Sequence, residues 1–327
     1  MKRRDFLKQT AATAAVLSPF GQHLFTPLLA AQATTKVALV KTLDRAAGIA
    51  AALRLLNVPS PSGKRVLIKP NFNTADPAPG STHNDTLRQL VLEMKSRGAA
   101  TITIGERSGP PATRSVIEAK GIPALSQELG FDIINFEELT GDGWVHFDPP
   151  GSHWPNGFDV ARPIVDAEYL LWTPCLKTHG SGGTYSMAIK LAVGTTNKNL
   201  MRTLHGARQT HMRRMIAEIH QAFTPKLIVM DGVDAFVDGG PSNGKKVQAG
   251  VIIAGTDRIA IDAVGLAVLK QLGSNDAIMS TKIFEQEQMQ RAVELGLGIR
   301  RADQIELVTA DAESKAYAGT LRAILDS

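Results

Sequence analysis

Four short apolar runs, each ending in polar or charged residues, constrain this chain more than any other feature. Residues 65–69 (RVLIK) run into Lys69, Pro70 and Asn71, and residues 101–105 (TITIG) run into Glu106 and Arg107. Residues 169–174 (YLLWTP) lead to Lys177, Thr178 and His179, and residues 226–231 (KLIVMD) end at Asp231 and Gly232. An unbroken apolar centre belongs to a parallel strand covered on both faces, because a half-exposed strand alternates apolar and polar residues. Between the runs lie stretches read as helices, including 43–56, 85–97, 207–223 and 258–272. Strands alternating with helices give an α/β fold, with a mostly parallel sheet and helices on both faces. In such a sheet ligands bind just past the carboxyl ends of the strands. The four polar endings, distant in sequence, are therefore expected to share one crevice.

Two segments break the alternation. Residues 137–162 hold Trp144, His146, His153, Trp154 and several prolines. They are expected to form an irregular or small antiparallel insertion bordering the site, since loops of this length are uncommon without a role. Residues 1–33 read as an export signal. Arg3, Arg4, Asp5, Phe6, Leu7 and Lys8 resemble the twin-arginine consensus, with Lys2 where Ser or Thr is customary. An Ala/Val/Leu region follows, and Ala31, Gln32 and Ala33 offer a small-x-small cleavage site. The expectation is a periplasmic or otherwise exported protein, handled by the twin-arginine export machinery, with residues 34–327 as a single α/β domain. The twin-arginine route carries folded proteins, which fits a cofactor inserted before export.

Composition then excludes some classes of function. The chain has 327 residues and a formal charge of +5. The leader carries Lys2, Arg3, Arg4 and Lys8 against Asp5, so +3 of that charge belongs to it and +2 remains; whole-chain charge is no argument for nucleic acid. Aromatic residues make up 5%, too few for stacking platforms on single strands. Past the leader no stretch of about 18 apolar residues occurs, so no transmembrane segment is expected in the mature chain. Cys175 is the one cysteine, which rules out an intramolecular disulfide and a cysteine-ligated iron–sulfur cluster built from this chain. At the end of an apolar strand it reads as a buried filler.

The candidate site concentrates in residues 169–206. A strand breaks at Lys177 and His179 into the glycine-rich turn Gly180, Ser181, Gly182 and Gly183. Glycine-rich backbone ahead of a helix N-terminus cradles anions, because its free N–H groups point outward; a flexible loop is the plainer alternative. A helix is expected from Ser186 to Val193. Lys190 on its apolar face either borders the site or snorkels to solvent. His179 is a base, a ligand or a cap. The donor-rich run of Asn197, Lys198, Arg202, His205, Arg208 and His211 suits a carboxylate or phosphate, or is a solvated helix face. From the other strand ends, Lys69 adds a point charge and Asn71 a donor–acceptor pair. Asp231, with His179 or His205, would make a mixed N/O site for a divalent metal, while Asp234 and Asp238, beside glycines, read as turn-forming residues. No Walker A loop, G-x-S-x-G elbow or G-x-G-x-x-G fingerprint is present.

These motifs in their order carry a resemblance. K-P-N (69–71), L-K-T-H (176–179), S-M-A-I-K (186–190), H-G (205–206), M-D-G (230–232) and G-T-D-R-I-A-I-D-A-V-G (255–265) resemble the domain of unknown function 362 family. The resemblance covers roughly residues 64–272. It implies an α/β fold with a site at these motifs, and names no reaction. The family's more usual K-N-L-F-G reads here as K-L-A-V-G (190–194), and the ferredoxin-like cysteine clusters of some members have no counterpart.

The combined expectation is an exported protein binding a small anionic compound or metal cofactor in the strand-end crevice. His179, Lys177 and His205 are the candidate catalytic residues for proton transfer or metal-assisted chemistry. Lys69, Asn71, Gly182, Gly183, Lys190, Asn197 and Arg202 are the candidate ligand-binding residues, and Asp231 the candidate metal ligand. The alternatives are a periplasmic binding protein without turnover, and an accessory subunit of an exported redox complex.

Overall fold

The computed structural model describes residues 34–327; the expected twin-arginine leader lies outside them. In chain order the strands are β1 (Thr35–Lys41), β2 (Arg65–Pro70), β3 (Thr101–Glu106), β4 (Asp132–Asn135), β5 (Trp144–Phe147) and β6 (Phe158–Ala161). They continue with β7 (Tyr169–Thr173), β8 (Cys175–His179), β9 (Thr184–Ser186), β10 (Leu227–Gly239), β11 (Gly244–Gly255) and β12 (Ile305–Val308). Ten of them form one sheet, in the order β12-β1-β11-β10-β7-β2-β3-β4, with β8 beside β10 and β9 beside β8.

The run from β10 through β7, β2 and β3 to β4 is parallel throughout, and β8 joins β10 in parallel. Antiparallel pairing enters through β11, which lies between β1 and β10, and through β9. The fold is therefore α/β with a mostly parallel mixed sheet. Alternate residues of each strand feed opposite cores. Leu67, Val37, Leu39, Ile228 and Met230 enter one core with the helix Arg258–Gln271. Val66, Ile68, Ala38, Val40 and Val229 enter the other with the helices Arg45–Leu55 and Asn84–Ser96. That helix from Arg258 is buried over most of its length, as expected of a helix packed beneath further helices. Within residues 137–162, β5 and β6 pair antiparallel as a separate two-stranded sheet.

Three expectations about local structure are corrected. First, residues 186–193 are not an α-helix: Thr184–Ser186 is strand β9 and Lys190–Thr195 a 3-10 helix. The backbone around Ala188 and Ile189 finds its partners in buried side chains. Asp262 accepts from the Ala188 N–H at 2.6 Å and the Ile189 N–H at 2.9 Å. Trp172 Nε1 donates to the Ala188 carbonyl at 2.8 Å, and His220 Nε2 lies 2.8 Å from the Ile189 carbonyl. Tertiary partners replace helical hydrogen bonds here, which propensity does not register.

Second, residues 207–223 are not one helix. They contain Met212–Glu218 and a 3-10 turn Ile219–Ala222, preceded by a turn in which the Ala207 carbonyl accepts from the amides of Thr210, His211 and Met212. Third, the strand of residues 226–231 continues to Gly239, and its partner begins at Gly244. Bulges between Gly232 and Asp234 and between Phe236 and Asp238 let aspartates lie inside a strand, where they imitate a loop. The hairpin tip passes close to β8. A Cβ on Gly240 (φ +80°) would stand 2.2 Å from the Thr178 carbonyl oxygen, so glycine is needed both for conformation and for approach.

Candidate functional site

Lys69 ends β2, and Glu106 ends its parallel neighbour β3. The register of Ile68 with Ile104 brings the two side chains together. The Lys69 ammonium donates to Glu106 and, at 2.7 Å, to the Pro70 carbonyl. The carboxylate also accepts from the amides of Phe72 (2.7 Å) and Arg107 (2.8 Å). Both side chains are buried. Burial lowers the Lys69 pKa and raises that of Glu106, and their mutual attraction opposes both shifts. Gly194 closes over the pair: a Cβ there would lie 2.8 Å from Lys69 Nζ.

Lys177 on β8 spends its three protons on protein oxygens. It donates to the carbonyls of Gly80 (2.6 Å) and Pro241 (2.9 Å) and to Asn71 Oδ1 (3.4 Å). Burial pulls its pKa down to about 8. His179, two residues on, ends the strand almost fully buried, and its Nδ1 has no hydrogen-bond partner among the described residues. Burial first, then the charges of Lys190 and Lys177, push its pKa down to about 2, so the ring is neutral.

Lys190 opens the 3-10 helix and is half-buried. Its ammonium has no hydrogen bond or ion pair among the described residues. Burial, then repulsion from Lys177 and Arg107, pulls its pKa down to about 7. The peptide that carries it is fixed by Asp262, Trp172 and His220. Behind them the Arg258 guanidinium donates to His220 Nδ1 at 2.8 Å, which leaves Nε2 as the donor toward Ile189. Arg107 is buried and braces the same turn by donating to the Thr196 carbonyl (2.9 Å), to Thr196 Oγ1 (3.2 Å) and to the Val193 carbonyl.

These side chains line an inner chamber whose charged lining is Lys69, Arg107, Lys177 and Lys190 against the one carboxylate of Glu106. It shares His179, Lys190, Arg107 and Val193 with an outer chamber of about 550 Å³, where Met201, His205, Arg208 and Ser242 join the wall. Preformed cationic groups converging on a concavity of this kind recognise carboxylates or phosphates.

The other sequence candidates fall in several places. Asn71 is drawn in as an acceptor for Lys177. His205 is at the outer mouth, its pKa lowered by partial burial and by Lys190, Arg208 and Arg107. Gly183 lies between His179 and Lys190. Gly182 (φ +85°) presents its carbonyl to Arg213 at 2.8 Å. The turn they form leads into strand β9, so the helix N-terminus expected to complete an anion cradle is not there. Asn197 is off both chambers and caps its own turn by accepting from the Asn199 amide. Arg202 faces a separate surface hollow with Lys198, Asn199 and Thr203. Asp231 also lies off the chambers. It accepts from Arg45 Nε at 2.8 Å and from Thr86 Oγ1 at 2.7 Å. Among the described residues no group of three or more His, Cys, Asp or Glu is placed to hold a metal ion.

Glu106 and Arg107 were expected in the crevice as a strand ending and Arg208 in the donor-rich run, none with a role of its own, and Gly194 and Pro241 were not singled out as site residues. Glu106 carried a signal, since it ends an apolar strand as Lys69 does. Gly194 and Pro241 carried none, because they act through backbone position.

Residues 66–267 match the family model described as "Domain of unknown function (DUF362)". The chain belongs to this family. It is also similar to the thylakoid-associated protein sll1697 of Synechocystis sp., at 26% identity over 220 residues. That match covers 64% of this chain and 64% of the relative. Among solved structures, this DUF362 chain is similar to the lactate racemase apoprotein from Thermoanaerobacterium thermosaccharolyticum, with a TM-score of 0.44 and 13% identity over 89% of this chain and 86% of that one. No helix among the described residues is long and apolar enough to cross a membrane.

Proposed function

We propose that this DUF362 protein binds a small anionic compound in the inner chamber, and that Lys190 exchanges a proton with it. The observation that carries the reading is the unpartnered ammonium of Lys190 inside a lining with four cations and one carboxylate. Lys69 is satisfied by Glu106 and Lys177 by three oxygens, so both serve as fixed charge. Lys190 has protons to give, and a pKa of about 7 lets it serve as acid or base near neutrality. The neutral His179 ring beside it suits a hydrogen-bonding role toward a polarised oxygen rather than charge pairing.

A thermal-shift screen of carboxylates and phosphates against the wild type and Lys190→Gln tests the binding. Deuterium uptake from D2O into carboxylic acids with an acidic C–H, followed by NMR, tests the proton transfer. Stabilisation by anions that Lys190→Gln abolishes supports the reading, and equal responses of the two proteins refute it. Uptake absent from both proteins while binding persists would leave a binding protein without turnover.

Export belongs to the same proposal. It is supported by the twin arginines, the apolar region after them and Ala31, Gln32 and Ala33. Replacing Arg3 and Arg4 by Lys is expected to hold the protein in the cytoplasmic fraction.

A further inference from the structure

The cations around the two chambers differ in whether the protein itself neutralises them. Lys198 pairs with Glu137 at 2.7 Å, and Arg213, close by, pairs with Glu287 at 2.5 Å. Lys69, Lys177 and Arg107 are satisfied as described above. Among the described cations lining the chambers, Lys190, which lines both, and Arg208, which lines the outer one, alone have no acceptor for the side chain. Arg208 is exposed, and its stem packs against Gly182. A Cβ on Gly182 would lie 2.4 Å from its Cγ, so the stem of the arginine lies across bare glycine backbone at the chamber wall. His205 lines the same chamber, close enough to both unpaired cations to feel their charge. Val193, Met201, Pro110 and Pro241 add apolar surface to a wall that also carries Asn73, Ser181 and Ser242.

We infer that the ligand is an organic dianion, with one anionic group held at Lys190 and the other at Arg208, and a carbon body that uses the apolar part of the chamber wall. The inference rests on the anion-binding reading of the inner chamber and adds the second subsite. A monoanion would leave the Arg208 guanidinium idle. A compact inorganic anion would leave unused an outer chamber of about 550 Å³, a volume of the order of small-molecule sites. The planar fork of arginine suits a carboxylate or phosphate approached side-on.

The test uses linear dicarboxylates from succinate to suberate, each against the monocarboxylate of the same chain length. Affinities are measured by calorimetry on the wild type, Arg208→Gln and Lys190→Gln. Arg208 is exposed, so its replacement leaves the fold intact, which thermal unfolding checks. At least one dicarboxylate is expected to bind about tenfold or more tighter than its monocarboxylate, a gap that Arg208→Gln removes without weakening the monocarboxylate. Lys190→Gln is expected to weaken both series. The inference is overturned if no dicarboxylate outbinds its partner or if the gap survives in Arg208→Gln. If monocarboxylates bind and depend on Lys190 in that case, the inner-chamber reading stands alone. If neither series binds, both readings fail.

Discussion

His179 and Lys190 face each other across a single glycine: a Cβ on Gly183 would stand 2.9 Å from His179 Nδ1 and 2.8 Å from Lys190 Cε. Gly183 is not in the left-handed region, so alanine is allowed by the backbone and excluded by its neighbours. Gly183→Ala is therefore expected to displace the lysine end. The expected loss is about tenfold or more in anion affinity with little change in thermal stability, read by calorimetry with sulfate and by thermal unfolding.

The lysines set an opposed pair of pH dependences. Their folded pKa values, about 7 for Lys190 and about 8 for Lys177, lie below that of an unfolded lysine. Between those values and the unfolded one, the unfolded chain binds more protons, so the contribution of these groups to stability rises with pH. Below about 7 both lysines are charged in either state and the folded protein carries the full penalty. The proposed anion binding is expected to run the other way, since it needs the ammonium and weakens as pH rises past the folded values. The stabilisation produced by sulfate is expected to shrink between about pH 6 and about pH 9, more in the wild type than in Lys190→Gln.

Lys69 and Glu106 are a buried ion pair, and breaking it from one side strands a charge. Glu106→Gln is expected to destabilise the protein by about 3–5 kcal/mol in urea unfolding. Combining it with Lys69→Met should recover part of that loss, because the double variant has no stranded ammonium.

Asp262 reaches Lys190 only through the backbone. Its carboxylate holds two consecutive amides, and burial raises its pKa to about 7. Asp262→Asn turns an amide nitrogen toward one of those donors, an expected cost of about 1–3 kcal/mol. Anion affinity should fall with it, as the turn bearing Lys190 loosens.

Asp231 separates stability from binding. It ties Arg45 and Thr86 away from both chambers. Asp231→Ala is expected to lower the unfolding midpoint while sulfate affinity stays at the wild-type value.

The sheet was legible from the sequence because its signal is local: unbroken apolar runs such as residues 65–69 have few alternatives to a buried parallel strand. Lys69, Asn71, Lys177 and His179 were legible for the same reason, since strand ends in this topology converge. The turn at Lys190 was not. Its conformation is set by Asp262, Trp172 and His220, none within fifteen residues of it, and apolar periodicity suggested a helix instead. Asp234 and Asp238 misled in the opposite direction, because bulges placed turn-type residues inside β10. Asn197 and Arg202 shared a polar run with His205, yet they point away from the chambers. Composition of a run does not tell which of its side chains turn inward.

The central claim is that Lys190 completes its charge balance with a small anion. Sulfate, whose charge is constant across the range, should be titrated calorimetrically into the wild type and Lys190→Gln near neutral pH. One bound sulfate in the wild type, with affinity reduced about tenfold or more in the variant, is the expected result. Equal affinities in the two proteins, or no binding to either, would contradict the account.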